Sequence, residues 1–179
     1  MIQNKKILWV TQTAIFIALL VVVQAATAPL GNTLVTGSLV NLILIISVMT
    51  CGLASGMSVA LISPIMAKLV GIGPLWSLIP FVALGNLSLV FVWYIIGNKK
   101  MQNSYVSYGI AWIVGAITKF VVLYIGVVKI AVPVILALPE PQATVISTMF
   151  AFPQLLTALV GGFVALLILP RIKKALGQD

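Results

Sequence analysis

Two lysines buried in apolar stretches, Lys68 and Lys119, are where this sequence offers chemistry. An ammonium inside a membrane span costs about 2.5–3.5 kcal/mol near the bilayer centre, and less where the side chain snorkels to an interface. Lys119 stands about ten residues from the outer end of its apolar run, roughly 15 Å at the helical rise, too far for easy snorkelling. Lys68 lies about one turn from the end of its run, so it either reaches the interface or faces inward. The acidic side chains are Glu140, in a connecting stretch, and Asp179. A buried ammonium with no carboxylate in the membrane either sheds its proton or is visited by an anion, and an anionic ligand gives the charge a purpose that packing does not.

Asn41, Asn86 and Gln154 add amides to the same picture. Each alone serves equally as glue between helices. The chemistry left out is as informative. Without histidine there is no His-based triad, and two acids that far apart make neither a carboxylate dyad nor a metal cluster. Cys51 sits in an apolar run and reads as a packing thiol. The expectation is a protein that is not an enzyme and holds no metal or cofactor.

These residues need a lipid-embedded scaffold. The chain is 62% apolar and only 7% charged, whereas soluble domains carry charge on about a quarter of their residues. Polar and Gly/Pro punctuation predicts six transmembrane helices near 7–27, 38–55, 57–72, 78–97, 105–129 and 146–169. The expected architecture is an all-α integral membrane protein, one domain over residues 1–179. The first run follows Lys5 and Lys6 like a signal peptide but continues for about 20 apolar residues without a cleavage site, and reads as a retained helix. The second and third helices are expected to form a hairpin around Ser55 and Gly56, and the third to end at GIGP, Gly71 to Pro74.

Charge sets the expected orientation. With both termini cytoplasmic, Lys5 and Lys6, the Lys99/Lys100 loop and the tail with Arg171, Lys173 and Lys174 all fall on the inner side. That use of the basic residues makes nucleic acid an unlikely partner class and membrane lipid the natural one. The outer loops are then 28–37, 73–77 and 130–145. On this topology Asn41, Lys68, Asn86, Lys119 and Gln154, from five helices, share the outer leaflet, which points to a pocket open to the outside. Trp76, beside GIGP, covers that pocket or belongs to the interfacial aromatic belt, to which Trp93 and Tyr94 are also assigned. Pro139 and Pro141 stiffen the last outer loop into a possible lid. No internal repeat supports an inverted-repeat transporter.

The first helix carries TAIFIALL, which sets Ala14 and Ala18 four apart as a flat strip for another helix. With six helices and an outward polar cluster, this resembles the S components of energy-coupling factor (ECF) transporters, whose AxxxA-like motif contacts a transmembrane coupling subunit. The resemblance implies that Ala14 and Ala18 face that subunit. It further implies a small vitamin bound from outside, toppling of the S component within a cell membrane of bacterial type, and ATP hydrolysis by two partner ATPases. The chain has no GxxxxGK[ST] phosphate loop of its own. Lysines and amides suit an anionic vitamin, pantothenate best, with lipoate, biotin and niacin also anionic. Pyridoxine or a hydroxymethylpyrimidine would need no lysine, and cationic thiamine is disfavoured. A stand-alone secondary transporter and a structural membrane subunit remain alternatives.

Overall fold

A computed structural model describes residues 5–178 apart from 74, 100 and 102. Pro74 of GIGP, Lys100 of the basic loop and Asp179 lie outside the described residues, as do the side chains of Lys5 and Lys6. The described residues contain helices and turns and no strand. Helix α1 spans Lys5–Thr27, α2 Thr33–Cys51, α3 Leu53–Leu69 and α4 Ile79–Gly97. Helix α5 covers Ser104–Leu123 and runs on as a π-helix over Tyr124–Ile135. Helix α6 is Glu140–Phe150 and α7 is Phe152–Ala175. Five helical stretches are long and apolar enough to cross a membrane, and α3 is a shorter apolar helix.

Local chemistry explains the boundaries. Asn32 caps α2 by accepting from the amides of Leu34 and Val35, and Asn103 caps α5 by accepting from Tyr105. Helix α2 therefore starts at Thr33, earlier than the punctuation predicts. The break between α2 and α3 falls at Gly52, whose φ of 86° suits glycine, and not at Ser55 and Gly56. Those two residues lie inside α3 and serve packing. The Ser55 hydroxyl hydrogen-bonds that of Thr13 at 2.7 Å, and a Cβ on Gly56 would stand 2.5 Å from Cβ of Val48.

The stretch 130–145 is mostly helix, not the expected loop. The π-helix carries Pro133 within it, and the Leu136 amide donates to the carbonyl of Ala131 at 2.9 Å. Pro139 and Pro141 flank the first residue of α6, where a missing N–H costs no hydrogen bond. Ala151, with ψ of −124°, separates α6 from α7, so the last long helix begins at 152 and not 146.

Lipid offers no hydrophobic force between helices, so close backbone approach and interhelical hydrogen bonds hold the bundle together. Helix α2 sits among α1, α3, α4 and α7. Its seam with α7 is tight: a Cβ on Gly161 would lie 2.5 Å from the Ser38 carbonyl oxygen. Trp93 is fully buried beside Gly115, which corrects its assignment to the interfacial belt, while Tyr94 is exposed. Trp112 donates to the Leu159 carbonyl at 2.7 Å, tying α5 to α7. The main apolar cluster fills the bundle around Leu44, Val48 and Trp93. A second cluster joins the π-helix to α6 and the start of α4 through Leu78, Val127, Val132 and Phe150.

Hydrogen bonds also fix which ends lie together. Thr13 near the start of α1 meets Ser55 near the start of α3, and Gln178 after α7 donates to the Thr50 carbonyl near the end of α2. Lys173 donates to Asn98, at the end of α4, at 3.4 Å. The early turns of α1 and the residues after α7 therefore adjoin one end of the bundle.

Candidate ligand cavity

Lys119 is 3% exposed on the inner face of α5. Its Nζ donates to Oδ1 of Asn41 on α2 at 2.6 Å and to Oδ1 of Asn86 on α4 at 2.7 Å. Each amide is turned by a further bond: Asn41 Nδ2 donates to the Thr157 hydroxyl at 3.2 Å, and Asn86 Nδ2 to the Ala60 carbonyl at 3.5 Å. Thr157 in turn donates to the Gln154 carbonyl at 3.0 Å. The two asparagine oxygens solvate the amine as water would, which makes its burial affordable without a carboxylate. An ammonium has three donors, and this arrangement uses two.

The third has a place to go. Lys119, Asn41 and Asn86 line a cavity of about 160 Å³, and Lys68 and Gln154 line the same cavity. The five polar residues expected to share one depth thus surround one space. Lys68 is half-buried, and among the described residues no partner hydrogen-bonds its ammonium. The Gln154 amide donates to the Met149 carbonyl at 3.3 Å across the α6–α7 break. Trp76 is 56% exposed and stands outside the cavity wall, so the structure does not bring it to this site; Ile72 and Gly73 from the neighbouring turn line the wall instead. Glu140, at the start of α6, is exposed, and Thr144 donates to its carboxylate at 3.4 Å.

Wall residues that escaped the sequence reading include Gln24 on α1, Thr36 on α2, Ser63 on α3 and Phe150 at the end of α6. Gln24 stands one turn before the end of α1 and lines the same cavity as Asn41 and Asn86. Its Nε2 donates to the Ser63 carbonyl at 3.2 Å. Ala14 and Ala18 lie away from the cavity on the exposed face of α1, whose buried side runs through Thr13, Leu20, Gln24 and Thr27.

A multi-pass helical membrane protein that encloses a small cationic cavity belongs among binding and transport proteins. Residues 9–173 match the model of the family described as ECF transporter, substrate-specific component, and the chain belongs to that family. Its members are the substrate-binding components of transporters, not enzymes, and work with an ECF module of a transmembrane subunit and ATPases. No curated protein and no solved structure matches the chain.

Proposed function

We propose that the chain captures a small anionic vitamin in the cavity around Lys119 and presents it to an ECF module in the bacterial plasma membrane. The observation that carries this reading is the buried Lys119 ammonium, two of whose donors are held by asparagine oxygens while a third is left for a ligand beside an open volume. In a low-dielectric cavity lined by two lysines and, among the described residues, no carboxylate, an anion is favoured and a cation repelled. Six crossings, with both termini cytoplasmic, complete the proposal, since Lys99, Arg171, Lys173 and Lys174 would then all lie on the inner side. Ala14 and Ala18 then offer the coupling subunit a flat strip.

Pantothenate is the first choice, since its carboxylate suits Lys119 and its hydroxyls and amide suit the remaining polar wall. Size favours a second reading. A cavity of about 150 Å³ holds one benzene, so a space of about 160 Å³ suits a compact anion such as niacin better than the longer pantothenate. A binding screen of the purified subunit against pantothenate, lipoate, biotin, niacin, pyridoxine, hydroxymethylpyrimidine and thiamine decides between them. The expected result is tight binding of an anion, pantothenate foremost. Tight binding of thiamine, or of the neutral pyrimidine with no anion competing, would refute the anion reading.

A further inference from the structure

Gln24 carries an unmet hydrogen-bonding group at the same cavity. The residue is 2% exposed, and its Oε1 is buried with no partner among the described residues. The amide orientation is fixed by chemistry: Nε2 faces the Ser63 carbonyl, which only accepts, so a flipped amide would set two oxygens against each other. A buried acceptor without a donor is costly to the empty protein. Neither helix packing nor the Lys119 network makes use of it, although Gln24 forms part of the wall.

We propose that Gln24 is a specificity-determining residue whose carbonyl oxygen accepts a hydrogen bond from the ligand, so that the site selects molecules bearing an O–H or N–H donor in addition to an anionic group. This rests on the anion reading for the Lys119 end and adds a second recognition point on a different helix. Terminal amide torsions are soft, which lets the amide adjust to a ligand while α1 stays in place. A site built to pair a donor rejects an analogue lacking it far more strongly than an apolar pocket does, because its own polar group stays unpaired.

Biotin and lipoate form a suitable probe pair. Both have a pentanoate chain on a sulfur-containing ring, and only biotin adds ureido N–H donors. Wild-type protein and the Gln24→Met and Lys119→Met variants are titrated with both, and with pantothenate, in detergent. Wild type is expected to prefer biotin and pantothenate to lipoate by roughly tenfold or more, and Gln24→Met to reduce that preference to within about threefold. Lys119→Met is expected to weaken all three while keeping the preference, which separates the two ideas. A preference unchanged in Gln24→Met, or a wild type that favours lipoate, overturns the proposal. Should no anion bind, the anion reading fails, and pyridoxine and hydroxymethylpyrimidine, both donor-bearing, still test Gln24: a tenfold loss in Gln24→Met supports its role, and unchanged affinity overturns it.

Discussion

Lys119→Met keeps an unbranched side chain of similar length and deletes the ammonium. In the empty protein it strips donors from the carbonyl oxygens of Asn41 and Asn86, now held at 2.6 and 2.7 Å. Leaving a buried polar group unpaired costs about 1–3 kcal/mol, so the pair would cost about 2–6 kcal/mol if nothing relaxed. Against this stands relief from keeping an ammonium out of water, itself worth several kcal/mol. These terms offset, and the thermal midpoint of the ligand-free protein is expected to move by no more than about 5 °C. Ligand binding has no such offset. A charge-assisted hydrogen bond to a carboxylate contributes about 1.5–3 kcal/mol, so affinity for pantothenate should fall roughly tenfold to a hundredfold. Calorimetric titration in detergent, beside a melting curve of the same sample, measures both. A dissociation constant within about threefold of wild type, in a variant that melts normally, would show that the lysine serves only to join α2, α4 and α5.

Two other perturbations probe different parts of the molecule. Ala14→Trp and Ala18→Trp put bulk on the exposed strip of α1; cellular uptake is expected to be abolished while binding by the purified subunit stays intact, and uptake that survives both changes would make the strip ordinary lipid-facing surface. Gly161→Ala forces a methyl to within 2.5 Å of the Ser38 carbonyl and 2.9 Å of Cβ of Asn41, an overpacking expected to cost about 1–3 kcal/mol and to weaken ligand binding through Asn41; an unchanged melting point would mean that the α2–α7 seam has slack.

Depth along a helix is readable from sequence, and this is why Asn41, Lys68, Asn86, Lys119 and Gln154 were expected together and do share a wall. Rotation about the helix axis is not readable in the same way when nearly every position is apolar. Trp93 shows the consequence: its position near the C-terminal end of α4 fits an aromatic belt, yet it turns inward to full burial beside Gly115. Gly52 and Gly56 present a related ambiguity, since one breaks the chain and the other admits Val48, and composition alone does not say which does which. The 130–145 stretch was misread because Pro133, Pro139 and Pro141 signal interruption, whereas a π-helix carries the first and the start of α6 takes the other two. Gln24 was overlooked although it is an amide in an apolar run like Asn41 and Asn86, and its orphaned oxygen becomes visible only once the neighbours are placed.

The two apolar clusters have no buried residue in common. One includes the α2–α7 seam, where glycine leaves no space for even a methyl group; the other ties the π-helix to α6 and supplies Phe150 to the cavity wall. The cavity wall is thus shared between two apolar clusters, one holding the α2–α7 seam and one built on the far side of the Ala151 break. The two sides therefore tolerate added volume differently: a methyl at Gly161 meets the Ser38 backbone carbonyl, whereas one at Gly126 on the π-helix meets only the Phe81 side chain.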